Sequence, residues 1–320
     1  MPINRDKPDL WNDDVARSVD TYNDWFMRFA PQAFQDTRME TTRQVEAALR
    51  ATSNLTDITP ILLAGNPSVL QILRMSTAPP IARDRLIGLA GVSDNLVDTM
   101  EKQQRLPPRM PLAALEADLG KIGDLIERLA DKYIFHWLQT GAIPAEAEVH
   151  RAATIVADRL CSAVTDPIVR NAQEQRQLAL VREWLEMRSY TYVQGGTGLS
   201  IRTMQAGTFA FRLNVPINQA GRATSVNIPV DVAIMPRSAQ AGQLPILMEA
   251  KSAGDFTNTN KRRKEEATKV VQLRATYGNG VQFVLFLCGY FDSGYLGYEA
   301  AEGIDWIWEH RIEDMAALGI

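Results

Sequence analysis

Hydrophobic positions in residues 1–160 recur at the spacing of helices. The pattern predicts a helix over residues 14–29 and a short capped helix over residues 41–50. A longer apolar stripe lies within residues 112–138 and is typical of a helix that packs one face into a core. Its members are Leu115, Leu119, Ile122, Leu125, Ile126 and Leu129. These patterns predict an all-helical N-terminal region.

The periodicity changes after residue 165. A helix is expected to start at Asp166 and Pro167 and to continue to about Met187. Four segments with strand-like composition follow, separated by turn residues, and they are residues 190–193, 208–215, 225–234 and 245–250. A polar helix is predicted over residues 260–277, and the continuous apolar run 281–288 predicts a central buried strand.

The order of these elements predicts an α/β (α+β) fold, in which a mixed sheet is flanked by helices and preceded by a helical region. The expected domains are a helical one over residues 1–160 and a sheet-containing one over residues 161–320.

Composition narrows the class of protein only modestly. The chain is 46% hydrophobic and has no apolar run long enough for a transmembrane helix or a signal peptide, so a cytoplasmic protein without membrane association is expected. Cys161 and Cys288 are far apart in sequence and are expected to be buried thiols. The net charge of −4 does not exclude nucleic-acid binding, because phosphate contacts need only a locally basic surface.

Three charged residues occur on two of the predicted strands. Asp231 follows the run 226–230, and Glu249 and Lys251 follow the run 244–248. Unpaired charges are costly on buried strands, but carboxylates are readily explained if they hold a divalent metal ion. Because side chains alternate along a strand, Glu249 and Lys251 should point to the same side.

This set predicts Mg²⁺-dependent hydrolysis of a phosphodiester. Asp231 and Glu249 would bind the metal, the Ala250 backbone carbonyl would add a third oxygen ligand, and Lys251 would act on the attacking water and the phosphate. A cross-strand salt bridge at a sheet edge is the alternative explanation for the same residues. Glu174, on the helix before the sheet, is a further candidate catalytic residue. Its alternative, a solvated charge paired with Arg170 or Arg182, is the better explanation from the local sequence.

Two basic clusters are candidate DNA contacts. The first opens the helix after the Glu249 strand, where a helix N-terminus and clustered cations both favour phosphate. Its members are Asn258, Asn260, Lys261, Arg262 and Arg263. The second is Arg83 with Arg85. The alternative in both places is an exposed helix face without a DNA contact. The two explanations have equal weight for the first cluster, and the exposed face is the better explanation for the second.

The pattern of Asp231 with Glu249-x-Lys251 resembles the PD-(D/E)xK nuclease superfamily, although Val230 stands where that superfamily usually has proline. Four stretches, residues 22–31, 78–91, 249–258 and 287–298, are similar to the XamI family of type II restriction endonucleases. The resemblance spans nearly the whole chain, and the block Glu249–Asp255 is far more specific than Glu-x-Lys alone.

The resemblance implies a PD-(D/E)xK fold and Mg²⁺-dependent, sequence-specific cutting of double-stranded DNA at a short palindrome by a homodimer. It also implies a cognate DNA methyltransferase in the same system, without a stable complex. It assigns metal binding to Asp231 and Glu249, the catalytic lysine to Lys251, and DNA recognition or dimerisation to residues 1–160. Two alternatives stay open: a structure-specific repair or junction nuclease of the same fold, and a non-catalytic DNA-binding protein.

Overall fold

The structure is a computed structural model. It describes residues 2–194, 199–218, 225–257 and 259–320, apart from the side chains of residues 162–166 and 259–263. The chain forms two compact units, one made of Met1–Ala30 with Val169–Ile320 and the other of Pro31–Ile168. The first thirty residues therefore group with the C-terminal part of the chain, which the boundary expected at residue 160 did not include.

Helices make up the unit Pro31–Ile168. They are the end of α1 (Pro8–Ala51), α2 (Pro60–Gly65), α3 (Leu70–Met75), α4 (Arg83–Ala90), α5 (Asp94–Gln103), α6 (Leu112–Leu129), α7 (Trp137–Thr140) and the start of α8 (Glu146–Met187). The α6 stripe is buried as predicted, with Leu119, Ile122 and Ile126 inaccessible to solvent. In the same unit Arg74 forms a buried ion pair with Glu101 at 2.6 Å.

Two predicted helix boundaries are wrong. The separate helix expected over residues 41–50 is part of α1, which continues through Pro31, and the Thr41 hydroxyl donates to the Thr37 carbonyl instead of capping a helix start. The helix start expected at Pro167 is also absent, because α8 begins at Glu146 and runs through that proline. Both prolines lie next to the boundaries between the two units.

The other unit contains a six-stranded mixed sheet with the strands in sequence order. The strands are β1 (Thr191–Tyr192), β2 (Thr208–Ile217), β3 (Val226–Ile234), β4 (Ile246–Ala253), β5 (Phe283–Gly289) and β6 (Asp305–Trp308). Strands β2, β3 and β4 are antiparallel neighbours, whereas β1 pairs parallel with β2, and β4, β5 and β6 pair parallel. The predicted mixed sheet flanked by helices is confirmed.

Each face of this sheet packs against helices. The C-terminal half of α8 covers one face, where Val181 and Leu185 pack with Met248 and Phe286. The opposite face is covered by α9 (Thr259–Tyr277) and α10 (Ser293–Ala301). There Leu273 of α9 packs in the cluster that contains Leu247 of β4. Glu249 and Lys251 share the parity of Leu247, so they belong to the α9 side.

The side-chain alternation of β2 and β3 changes at one point. Phe209 and Phe211 pack on the α8 side, but beyond Arg212 it is Leu213 that packs on the other side. The β2–β3 register is the same before and after this point, and the pair that is missing from it is Arg212 with Asp231. Arg212 has a left-handed backbone, with φ of 51°. Asp231 therefore lies where both strands turn over.

Residues 3–5 are hydrogen-bonded to the last strand of the sheet. The Asp305 carboxylate at the start of β6 accepts hydrogen bonds from the backbone amides of Ile3, Asn4 and Arg5, at 2.5, 2.9 and 3.1 Å. The Asn4 side chain donates in turn to the Trp306 carbonyl at 2.9 Å.

Two further expectations concern the described residues as a whole. Cys161 and Cys288 are buried free thiols, as predicted. Among the described helices, none has the length and apolar character that crossing a bilayer requires.

Candidate active site

Asp231 and Glu249 lie where β3 and β4 separate. The pairing of these strands runs from Ile234↔Ile246 to Val232↔Met248 and does not extend to Asp231. Beyond it, the Asp231 carboxylate takes the place of a strand partner and accepts a hydrogen bond from the Ala250 amide at 2.9 Å. The two predicted carboxylates therefore lie on neighbouring strands, just beyond the point where the β3–β4 pairing ends. We call this opening between β3 and β4 the fork.

Glu249 is buried between two ammonium groups. Its side chain is only 4% exposed; Lys251 Nζ lies 3.0 Å from Oε2 and Lys269 Nζ lies 2.6 Å from Oε1. Lys269 also donates to the Pro229 carbonyl at 2.9 Å. The prediction that Glu249 and Lys251 share one side of the strand is confirmed by their direct contact. The alternative, a cross-strand salt bridge, does not form here. The ion pair of Glu249 with Lys251 lies within β4, and the second lysine beside Glu249, Lys269, comes from α9.

A third carboxylate lies on the other side of Lys251. Glu266 of α9 is buried, and its Oε1 lies 3.9 Å from Lys251 Nζ. The other oxygen, Oε2, accepts a hydrogen bond from the Tyr295 hydroxyl of α10 at 2.6 Å. Lys251 is therefore held between two buried carboxylates that belong to different elements.

Burial and neighbouring charges shift the pKa of both central groups. Burial, followed by the charge of Glu249, raises the pKa of Asp231 to about 6, against the opposing effects of Lys251 and the Ala250 amide. Burial alone would lower the pKa of Lys251, but the carboxylates of Glu249, Glu266 and Asp231 outweigh it and raise that pKa above its ordinary value. The lysine is therefore charged in the metal-free protein.

Glu174 lies near this cluster but has its own partner. Its Oε1 accepts from the Arg212 guanidinium at 2.9 Å, while Arg182 pairs with Glu186 at 3.3 Å. The negative charge of Glu174 contributes to the raised pKa of Asp231, so the two carboxylates repel each other electrostatically. A catalytic role for Glu174 stays a prediction.

Comparison with known proteins supplies the family. The model of the XamI restriction endonuclease family matches residues 53–308. The chain belongs to the XamI restriction endonuclease family. Type II restriction enzyme SalI from Streptomyces albus G is 56% identical to it over 317 residues, which cover 99% of each chain. No solved structure matches this chain.

Membership confirms the resemblance found in the sequence. This XamI-family protein is a type II restriction endonuclease, and therefore a site-specific deoxyribonuclease. The residues that perform the cleavage are not identified by these comparisons, so their assignment rests on the geometry of the fork.

The donor set of this XamI-family enzyme fits a hard divalent cation. Asp231 is half-buried and Glu249 is buried; the repulsion between their carboxylates helps to raise the pKa of Asp231, and a cation between them would relieve that repulsion. Within the described part of the chain, no three His, Cys, Asp or Glu side chains meet as a set that could hold a metal ion. A cation bound by these two carboxylates would therefore complete its coordination with backbone, water or phosphate oxygens. The Ala250 carbonyl stays a predicted ligand.

The predicted DNA contacts are only partly described. Asn258 lies outside the described residues, and so do the side chains of Asn260, Lys261, Arg262 and Arg263 in the first turns of α9. Arg83 forms ion pairs with Asp98 at 2.9 Å and with Asp84 at 3.8 Å, and Arg85 is exposed. A DNA-binding role for all these residues stays a prediction.

Sequence reasoning missed Lys269 and Glu266. Both lie on the inner face of α9, which continues through Val270, Leu273 and Tyr277 at helical spacing. A glutamate and a lysine in an otherwise apolar stripe are the signal that could have indicated them, because buried charges are rare unless paired. The overall polarity of α9 concealed that stripe.

Proposed function

We propose that the enzyme makes Mg²⁺-dependent double-strand cuts in DNA at a short palindrome, with Asp231 and Glu249 as metal ligands and Lys251 as the catalytic lysine. The observation that carries the proposal is the fork between β3 and β4. It holds the half-buried Asp231 and the buried Glu249 on adjacent strands, with the Lys251 ammonium 3.0 Å from the Glu249 carboxylate. Family membership independently supplies the reaction class.

The residues divide the chemistry of phosphodiester hydrolysis. When bound, Mg²⁺ supplies charge neutralisation at the phosphate and lowers the pKa of a coordinated water. The raised pKa of Lys251 favours an electrostatic role, in which the ammonium orients the phosphate and stabilises its developing charge, over a role as proton acceptor. Asp231, with a pKa of about 6, is ionised at neutral and alkaline pH and is then able to bind a cation.

The proposed target symmetry implies the assembly. A palindrome presents the same sequence on both strands, so a two-fold homodimer offers one active site to each strand. A cognate DNA methyltransferase in the same system would protect host DNA without a stable complex with the nuclease. Both enzymes would act in the cytoplasm. The unit Pro31–Ile168 is the proposed site of DNA recognition or dimerisation.

A digest of DNA of known sequence tests the proposal. Incubation with Mg²⁺ should give discrete fragments whose mapped ends share one palindrome, and addition of EDTA should stop the reaction. Asp231→Ala should abolish cutting, whereas Asp20→Ala, which removes an exposed carboxylate of α1, should cut as the parent does. Fragments without a common sequence, or full activity in Asp231→Ala, would contradict it.

A further inference from the structure

Both oxygens of the Glu249 carboxylate already face a cation. Lys251 Nζ lies 3.0 Å from one oxygen and Lys269 Nζ lies 2.6 Å from the other. Like charges a few ångströms apart repel strongly at the effective dielectric of a protein site near the surface. A divalent cation on Glu249 would lie within a few ångströms of both ammonium groups. At least one of these groups must therefore move when the cation binds.

Lys269 is the group that is free to move. Lys251 is held on its other side by Glu266 at 3.9 Å, and the Asp231 carboxylate also favours its charge. Lys269, in contrast, pairs with one carboxylate among the residues that the structure describes, and its further contact is with the neutral Pro229 carbonyl at 2.9 Å. Both lysine side chains are partly exposed, 20% at Lys269 and 26% at Lys251, so the number of carboxylates that each ammonium must leave is what separates them. Lys269 reaches the site from α9 through a long flexible stem, and a rotation about that stem brings its ammonium to solvent.

We propose that Lys269 is a resident counter-ion of Glu249, which keeps the divalent cation out of the DNA-free enzyme and moves onto a DNA phosphate when the cation enters. This inference rests on the metal ligands proposed above. It assigns Lys269 a positioning role through Glu249 and makes metal loading depend on DNA.

The charges of the cluster support this coupling. In the described residues, three carboxylates (Asp231, Glu249 and Glu266) lie around two ammonium groups, an excess of one negative charge among these five side chains. Entry of a divalent cation makes it positive, and a phosphate anion then restores the balance. DNA and the cation should therefore raise each other's affinity by the same factor, as linkage between two binding sites requires.

Calcium binding to the DNA-free protein, measured by isothermal titration calorimetry, tests the inference. Lys269→Met should bind Ca²⁺ at least about tenfold more tightly than the parent, since removal of a cation beside the ligand favours the incoming one. Lys269→Arg, which keeps the charge, should match the parent. So should Lys264→Met, which removes an exposed lysine of the same helix. A merely structural role for Lys269 would weaken Ca²⁺ binding or leave it unchanged.

A second set of titrations includes a duplex that contains a site cut by the parent. The advantage of Lys269→Met should then shrink to about threefold or less, because in the parent a DNA phosphate accepts the lysine as Ca²⁺ enters. An unchanged or weaker Ca²⁺ affinity of Lys269→Met without DNA overturns the inference. If Lys269→Met does not fold, the side-chain ¹⁵N resonance of Lys269 in the parent decides: it should shift when the duplex and Ca²⁺ are added together, and a constant position overturns the inference.

Asp231→Ala separates this inference from the function proposed above. If Asp231→Ala with the duplex binds Ca²⁺ as the parent with the duplex does, the proposed metal ligands are wrong and the role of Lys269 is overturned with them. If Asp231→Ala loses Ca²⁺ binding with the duplex but Lys269→Met gains no affinity without it, the metal site stands and only the role of Lys269 is overturned.

Discussion

The Asp231 carboxylate accepts a hydrogen bond from the Ala250 amide at 2.9 Å, where Asp231 lies one residue and Ala250 two residues beyond the last pair of the β3–β4 ladder. A side chain thus replaces a backbone carbonyl as the partner of that amide. The bond fixes the position of Asp231 beside Glu249 while leaving the strands open at this end. The opening between the two strands brings two carboxylates and a lysine together, and this is the place where we propose that the phosphate binds.

The raised pKa of Asp231 predicts how stability depends on pH. Between pH 4 and pH 6 the folded protein holds a proton on Asp231 that the unfolded chain has lost, so this group stabilises the fold least above pH 6. In EDTA at pH 7.5, Asp231→Asn should therefore be more stable than the parent, by about 1–2 kcal/mol. The advantage should fade as pH falls through 6 towards 4.

Urea unfolding of both proteins at several pH values checks this prediction. Asp20→Asn, on the exposed surface of α1, is the matched control and should show no such difference. An advantage of Asp231→Asn that is equally large at pH 4 would contradict the titration of Asp231 as its cause.

Replacement of Lys251 should separate binding from cleavage. Lys251→Ala removes an ammonium that is proposed to stabilise charge on the phosphate, and loss of one such group costs about 10²–10³ in rate. DNA affinity, measured in Ca²⁺ by gel shift, should change by less than about tenfold, since the other phosphate contacts remain. Cleavage that falls only in proportion to DNA affinity would show that Lys251 serves binding alone.

Glu266 should act through Lys251. Its carboxylate favours the ammonium form, so Glu266→Gln should lower the pKa of Lys251. The alkaline limb of the rate profile should then move to lower pH, with a fall in rate of about tenfold or less at pH 8. Glu265→Gln, at the exposed neighbouring position of α9, should leave the profile unchanged. A lower rate without any shift of the limb would assign Glu266 to packing.

Gly289 at the end of β5 should be intolerant of any side chain. Its φ is 102°, and a Cβ there would lie 2.1 Å from the Ala253 carbonyl oxygen. Gly289→Ala should therefore cost about 3 kcal/mol or more of stability. Gly278, with φ of 86° and open space around its Cβ position, is the matched control. Gly278→Ala should cost about 1 kcal/mol of stability. Thermal unfolding checks both values, and an equal loss of stability in the two variants would contradict the steric explanation.

Local sequence was sufficient for the centre of the site. The alternation of side chains along β4 predicted that Glu249 and Lys251 share one side, and the apolar run 281–288 predicted β5 almost to its ends. It was not sufficient for Lys269 and Glu266, because their approach depends on how α9 packs across the sheet. The turn-over at Arg212 and Asp231 was also beyond it, since both strands keep their register there and only the faces change.

The two interior prolines show the limit of local signals for helices. Proline within a helix costs about 3 kcal/mol. The predicted helices ended at residue 29, two residues before Pro31, and began at Asp166 and Pro167. Packing of the flanking segments outweighs that cost in α1 and α8, which both continue. The prolines nevertheless coincide with the points where each helix passes from one compact unit to the other.

The bonds from Asp305 to the amides of Ile3, Asn4 and Arg5 join segments about as distant in sequence as this chain allows. Since a chain leaves the ribosome from its N-terminus, the helical unit Pro31–Ile168 is available to fold while the sheet is still being synthesised. The hydrogen bonds of residues 3–5 cannot form until β6 has been synthesised, and contacts of such long range form slowly. The sheet-containing unit is consequently completed last, after translation has passed its final strand.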